Sequence, residues 1–366
     1  MIRSSGPPDK TTPGNVGDIY QNTDNGEIFV CKDVNHRPVR QQFIEVSAKD
    51  VNTEYVWDTT PIKFDNCAEF FKDGNRLGYL NKLDFSETTD MSSMLIRCKS
   101  LTTIPQMDTS SVTAMNNIFN GCSSLTTIPP MDTSSVTNMA GMFEGCSSLT
   151  TIPPMDTSSV TNMNGMFYNC KSLTTIPQMD TSSVTTMNNI FNGCFSLTTT
   201  PPMDTSNVTS MNNILSNCKT LTTIPPMDTS NVTSMNGMFN GCSSLTTIPQ
   251  MDMSKVYNTS SMFNNCNSLT NLDLRNIEIN LQIGSGTSWG HLLTVDSLVN
   301  TIKELVTQTS YKTLTMGTAN LEKIANLYCK IIDDTDPKKT MELCESTEEG
   351  AMTLTDYAKL KKWNIR

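Results

Sequence analysis

The sequence predicts a solenoid of 24-residue coils, flanked by a small N-terminal β region and an α/β C-terminal cap. Three observations predict it. From Cys98 the next seven cysteines fall at Cys122, Cys146, Cys170, Cys194, Cys218, Cys242 and Cys266, a constant step of 24 residues with no insertion or deletion. Leucine recurs at the same step from Leu77 to Leu269, and aspartate from Asp84 to Asp252. Hydrophobic residues make up 37% and charged residues 17% of the 366, both below ordinary globular shares, so the chain is either low-complexity or a repeat. The unbroken register decides for the repeat. A unit this short cannot bury its apolar side chains alone, so it must stack on its neighbours.

Region 1–55 reads as a small β-meander that docks on something else. Ile19-Tyr20 leads to Asp24-Asn25-Gly26 and then Glu27-Ile28-Phe29-Val30-Cys31. Asn-Gly between two apolar runs is a strong hairpin signal, because both residues tolerate the positive φ of a tight turn. A third strand is expected at Gln42 to Val46. Large apolar side chains are too few here for much of an independent core.

Region 56–284 is the solenoid, with a degraded half-repeat at its start. Cys67, Phe70, Phe71 and Gly74 stand 24 residues before Met91, Met94, Leu95 and Cys98, as a terminal coil covering one face of the stack would. In the full unit Leu125-Thr-Thr-Ile128-Pro-Pro-Met131 cannot be a long helix, because Pro129-Pro130 would break it. Short parallel strands are expected around Leu-Thr-Thr-Ile and Val-Thr-Asn-Met, with five or six apolar side chains inward per coil. Met139, Met142, Phe143 and Cys146 fall at steps of three and four, which predicts a short helical corner. Gly or Asn precedes each cysteine from Gly121 to Asn265, so a left-handed residue should end that corner. Arg97 departs from this pattern. The register is expected to fade after Leu272.

Region 285–366 regains ordinary charge density. Ser297 is expected to cap a helix carrying Leu298, Ile302, Leu305 and Val306, and Asn320 another carrying Leu321, Ile324 and Leu327. Lys312 to Gly317 reads as a strand and Leu354 to Trp363 as a last short helix, with Trp363 and Leu360 free to cover the final coil.

Several functions are excluded at this level. The net charge of −10 comes without a Lys/Arg cluster, so no nucleic-acid partner is expected. No apolar run is long enough for membrane insertion, and the first residues lack the apolar stretch of a secretory signal. The histidines are His36 and His291, no phosphate loop or nucleophile elbow occurs, and Asp and Ser recur in every coil as architecture does. No catalytic residue, cofactor or metal site is therefore expected, and the protein is not expected to be an enzyme.

The unit Gly121-Cys-Ser-Ser-Leu-Thr-Thr-Ile128, followed by Ser135-Val-Thr-Asn-Met139 and Met142-Phe143-x-x-Cys146, closely resembles the BspA-like class of bacterial leucine-rich repeats. That resemblance implies a leucine-rich-repeat solenoid. Members of the class look like surface adhesins of bacteria and some protists, and similar arrays occur in phage and prophage structural proteins. Residues 14–29, Gly-Asn-Val-Gly-Asp-Ile-Tyr-Gln-Asn-Thr-Asp-Asn-Gly-Glu-Ile-Phe, are similar to short hairpins of phage tail, fibre and baseplate-associated proteins. An adhesin of the class should carry a signal peptide, whereas a phage protein leaves the cell by lysis. Together these imply a phage virion protein, held to a virion protein through its N-terminal region and adhering to a bacterial surface glycan or protein. A bacterial or protist cell-surface adhesin and a ligand-free decoration protein are the alternatives. Fibre-like proteins are often trimers, so a homo-oligomer is also implied.

Stacking coils about 4.8 Å apart turns every repeat position into a ladder. Cysteine Cα atoms would lie within disulfide range, yet reduced, buried thiols filling the corner are expected. Each ladder Asp should accept backbone N–H groups two or three residues on, with calcium between neighbouring Asp side chains as the rarer alternative. Thr103, Thr127, Thr151, Thr175, Thr199, Thr223 and Thr247 form a candidate ligand-binding face of hydroxyls. Glu144, Tyr168, Lys171, Phe195 and Lys219 break the repeat near the turn. Of these Tyr168, Lys171, Phe195 and Lys219 form a candidate recognition edge, with Phe195 as an exposed sugar-stacking ring.

Overall fold

The structure is a computed structural model that describes residues 84–277 and 293–303 continuously, together with Cys67, Phe71, Ile279, residues 352–354 and 356–357, and the strands named below. Strands β1 (Ile2–Ser4), β2 (Ile19–Asn22), β3 (Ile28–Asp33) and β4 (Gln41–Val46) form one sheet in that order. β1 runs parallel to β2, and β3 runs antiparallel to both of its neighbours, β2 and β4. The Asn25-Gly26 turn lies outside the described residues, and Gln21 pairs with Ile28 across it.

Residues 125–148 serve as the reference coil. Leu125, Ile128, Met131, Val136, Met139, Met142, Phe143 and Cys146 are all buried, eight side chains where five or six were expected. Each large side chain removed from water contributes about 1.5–3 kcal/mol, so burial along the stack drives the fold. The phenylalanines stack coil on coil. Phe119, Phe143, Phe167 and Phe191 have ring centroids 5.6, 5.7 and 5.8 Å apart and nearly parallel planes. Leu215 interrupts the column, which resumes with Phe239 on Phe263 at 5.9 Å.

The expected helical corner is instead a chain of tight turns. Two residues per coil have positive φ, Gly141 at 60° and Gly145 at 71° in the reference coil, and their equivalents Asn117 and Gly121 or Asn189 and Gly193 do the same. A right-handed helix cannot pass through left-handed residues four apart. The alternation redirects every second N–H into the next coil: Met139, Gly141, Phe143 and Gly145 donate to the carbonyls of Asn162, Asn164, Met166 and Tyr168. The N–H groups between them close three-residue turns, as Met142 to Met139 and Cys146 to Phe143. Backbone donors on this side are thereby satisfied without helix or sheet. Arg97 holds the same left-handed conformation, at φ 60°, so the first full coil follows the rule.

The proline side is bonded more sparsely. Thr126 and Thr137 N–H groups donate to the Thr102 and Thr113 carbonyls, both at 3.0 Å, and isolated parallel bridges join Ala114, Asn138 and Asn162 where this side meets the turns. Prolines such as Pro129-Pro130 have no N–H to give, which keeps strands from forming. The expected strands appear only where this limit lifts, between β5 (Thr247–Asp252) and β6 (Asn271–Arg275), the latter free of proline and paired parallel to β5.

The register reaches further in both directions than its clean copies. Cys67 and Phe71 donate to the carbonyls of Asp90 and Met94, as the turn residues of a full coil would. At the other end Leu293 and Thr294 stand 24 residues after Leu269 and Thr270, and Thr294 N–H donates to the Thr270 carbonyl at 2.9 Å. The ladder therefore does not stop at Leu272. It runs into α1 (Val295–Lys303), whose Leu298, Val299 and Ile302 are buried.

The cap of α1 is Thr294, whose Oγ1 accepts the Ser297 N–H, and not Ser297. Ser297 sits one turn inside and ties the helix to the last coil, accepting the Leu272 N–H and donating to the Thr270 carbonyl. β7 (Leu281–Ile283), before α1, and β8 (Lys312–Met316), β9 (Tyr328–Asp333), β10 (Thr340–Cys344), β11 (Met352–Thr353) and β12 (Trp363–Ile365), after it, make two three-stranded sheets, β10-β9-β11 and β12-β8-β7. The last helical segment starts at Leu354, capped by the Thr353 hydroxyl, which accepts the Asp356 N–H. It does not extend to Trp363, which pairs with Lys312 in β12, in keeping with the strand preference of aromatic and β-branched residues. Leu360 and the helix expected after Asn320 lie outside the described residues.

Candidate binding surfaces of the array

The Asp ladder closes local turns. Asp132 Oδ1 accepts the Ser134 N–H at 3.0 Å and the Ser134 hydroxyl at 2.7 Å, and the arrangement recurs at Asp108, Asp156, Asp180 and Asp204. The serine hydroxyl, then the serine N–H, hold these carboxyls below the usual value of 3.8. Among the described residues no group of three or more His, Cys, Asp or Glu is placed to hold a metal ion. The residue between Asp and Ser carries a second ladder that the sequence reading missed. Thr133 is buried, and its hydroxyl donates to the Asp156 carbonyl of the next coil at 2.7 Å, repeated at Thr109, Thr157, Thr181, Thr205 and Thr229.

The described cysteines are free and buried. From Cys98 to Cys266 each thiol donates to a carbonyl 27 residues earlier, as Cys146 Sγ does to Phe119 O at 3.1 Å, whereas Cys67 Sγ lies 3.9 Å from the Thr88 hydroxyl. Burial pushes the thiols of Cys146, Cys194 and Cys242 up to about 12, which leaves them inert as nucleophiles or metal ligands.

The threonine pairs divide their roles. The first hydroxyl of a pair spans coils, as Thr126 does to Thr102 O at 3.1 Å and Thr246 to Thr222 O. The second, the candidate face, is exposed at Thr103, Thr127, Thr151, Thr175, Thr199 and Thr223 and half-buried at Thr247. Thr199 donates to the adjacent Thr200 carbonyl, and the other six second hydroxyls are left to solvent among the described residues.

The residues of the recognition edge take up two sets of contacts. Lys171 and Lys219 are exposed and place their ammonium groups 5.8 and 4.8 Å from the centre of the Phe195 ring. Phe195 is half-buried between them, so it is no open stacking platform, because each cation prefers the ring face to water alone. Tyr168 instead lies with Glu144 beside a surface hollow on the turn side. Burial raises the Glu144 carboxyl, and an Asn120 hydrogen bond partly offsets the shift. Tyr257, 72% exposed, stands where preceding coils have Thr209 and Thr233, and it is the exposed large hydrophobic residue among those described. That break in the threonine column was visible in the sequence.

Stacked coils, a leucine-led core and repeated polar ladders define a leucine-rich-type repeat protein. Over residues 63–151, 148–202 and 199–284, well over half its length, the chain matches the family described as "Mycoplasma protein of unknown function, DUF285", and it belongs to that family. It is thus a repeat protein of the BspA-like, leucine-rich type. Residues 14–29 precede all three matched segments. No curated protein matches the chain. Among solved structures, a leucine-rich repeat protein of T. pallidum is 21% identical, with a TM-score of 0.35, over 42% of this chain and 69% of its own.

Proposed function

We propose that the array is a non-enzymatic adhesive surface that binds a bacterial surface glycan or protein. The observation that carries this reading is the set of second-threonine hydroxyls at Thr103, Thr127, Thr151, Thr175 and Thr223, exposed and left without protein partners among the described residues on an uncharged strip. Hydroxyls not spent on folding can bond hydroxyl-rich or amide-rich ligands at the spacing of the coils. The absence of enzymatic activity is argued from repetition, since Asp and Ser that recur in every coil build turns and not one reactive site. Replacing Thr127, Thr151 and Thr175 together by valine keeps shape and β-branching while removing the hydroxyls. Retention of the full chain on bacterial cells should fall sharply with no loss of melting temperature, and unchanged retention would refute a role for this face.

The carrier is proposed to be a phage particle, to which the N-terminal region attaches through a virion protein, a reading supported by the likeness of residues 14–29 to tail-associated hairpins. Immunolabelling of purified particles tests it: label on the particle surface is expected, and label confined to the bacterial envelope would favour a cell-surface adhesin. Sedimentation of the full chain tests the proposed trimer.

A further inference from the structure

The turn side holds a hollow of about 440 Å³ lined by Glu144, Asn164, Gly165, Tyr168, Asn188 and Asn189. It exists because the repeat is broken twice in two successive coils. At the first left-handed position the coils carry Ser93, Asn117, Gly141, Gly165, Asn189, Asn213, Gly237 and Ser261, so only at 141 and 165 do two glycines adjoin. Three residues on, where other coils carry Ile96, Asn120, Asn192, Ser216, Asn240 and Asn264, these two coils carry Glu144 and Tyr168. A side chain is missing from the floor where two large ones form the walls. A Cβ added to Gly165 would meet Tyr168 Cβ at 3.7 Å and Glu144 Oε2 at 4.0 Å, ordinary contact distances, so a side chain there would fit and would occupy the floor between those two walls.

The chemistry of the lining selects a ligand class. The amide oxygens of its three asparagines are already committed within the protein: Asn164 Oδ1 accepts the Asn188 N–H, Asn188 Oδ1 the Asn212 N–H and the Ser210 hydroxyl, and Asn189 Oδ1 the Asn192 amide. Those bonds fix which end of each amide is oxygen and leave the Nδ2 groups as the donors still available. Tyr168 adds a hydroxyl and an aromatic body, and Glu144 a half-buried carboxylate that accepts donors. No cation lines the hollow, so an anionic ligand would face Glu144 uncompensated. An apolar ligand would strand the amide donors. We propose that this hollow is a subsite for one neutral sugar unit, whose ring oxygens and hydroxyls accept from the asparagine amides while another hydroxyl donates to Glu144. The proposal deepens the adhesive reading and rests on it. It places sugar recognition on the turn side, separate from the threonine row.

The array supplies its own control variants. Gly165→Asn restores the residue that Asn117, Asn189 and Asn213 place at the same positive φ, and Tyr168→Asn restores the residue of Asn120 and Asn192. Both should fold and melt as the wild type does, since neighbouring coils already carry these residues. The probes are soluble neutral disaccharides built of glucose, galactose, mannose or N-acetylglucosamine, with sialylated and sulfated sugars as anionic counterparts, titrated against the full chain. At least one neutral probe is expected to bind the wild type, with anionic ones weaker, and each variant is expected to lose about tenfold or more in affinity. No neutral probe binding at millimolar concentration, a preference for anionic sugars, or equal binding by both variants overturns the subsite. Cell retention is measured alongside to separate the two readings. A wild type that fails to adhere refutes the adhesive function, whereas a wild type and variants that adhere equally refute the subsite alone.

Discussion

The two sides of each coil reach the same stacking by different means. On the turn side four N–H groups per coil, Met139, Gly141, Phe143 and Gly145 in the reference coil, bond the next coil, while the proline side offers two, Thr126 and Thr137, which bond the preceding one. The turn side is consequently held by backbone geometry as well as by packing. The proline side depends on buried Leu125, Ile128 and Met131 and on hydroxyls such as Thr126 and Thr133 that replace the missing N–H groups. A parallel stack does not require continuous strands, provided each buried polar group finds a partner.

The strongest test of this contrast removes a ring from the turn side. Phe167 is fully buried and stacked on Phe143 and Phe191, so Phe167→Ala should cost about 3–5 kcal/mol, read as a lowered urea midpoint. On the proline side Ile152→Val, at a residue 8% exposed, should cost only about 0.5–1.5 kcal/mol. A loss from Ile152→Val as large as that from Phe167→Ala would show that the proline side carries more of the load than its sparse backbone bonding implies.

Much of this architecture was legible because a ladder repeats its own signal. The constant cysteine step, the leucine and aspartate columns and the Gly/Asn residue before each cysteine all correspond to observed ladders. The helical expectation failed for a physical reason: steps of three and four at Met139, Met142, Phe143 and Cys146 arise equally from successive tight turns. The residue that distinguishes them is the second left-handed one, at Gly141 and its equivalents, where Ser, Asn and Gly alternate and dilute the signal. Thr133 was hidden because Asp-Thr-Ser reads as a solvent-exposed turn, although its middle residue points inward. At the candidate surfaces, the sequence marked Glu144 and Tyr168 as departures from the repeat, but only the stacking of coils shows that both border one hollow with Gly165. Phe195 was marked too, and its lysine neighbours one coil away on either side could be read from the 24-residue step.

A middle-sized effect probes the left-handed residues themselves. Gly145 has φ 71°, and a Cβ there would lie 3.5 Å from Gly121, so space is sufficient and the backbone conformation is the obstacle. Gly145→Ala should cost about 1–2 kcal/mol, whereas Gly145→Asn, the residue found at Asn169 and Asn217, should cost less. Identical melting of the two variants would remove the turn argument. On the other side Thr133→Val deletes one buried donor to Asp156 O and should cost about 1 kcal/mol, less than the alanine change in a backbone turn.

The smallest effect belongs to the exposed Asp ladder and is best seen by acidification. Serine hydroxyls and N–H groups favour the charged carboxylates of Asp132, Asp156 and Asp180 in the folded chain, so their folded values lie below the usual 3.8. For an acid whose value is lowered by folding, the stabilisation is present above the unfolded value and is lost as pH falls through the folded one. Stability should therefore be flat near pH 5 and decline below about pH 4. Replacing Ser134, Ser158 and Ser182 together by alanine removes the leading cause of the shift while the serine N–H donors are replaced by alanine N–H donors in the same place. The variant should show a shallower decline between about pH 5 and about pH 3 than the wild type. Because the carboxylates are open to solvent, salt and water screen them and the difference should be modest. Parallel acid profiles would mean that the hydroxyls merely accompany the turn, and that the backbone bond to each aspartate carries the ladder by itself.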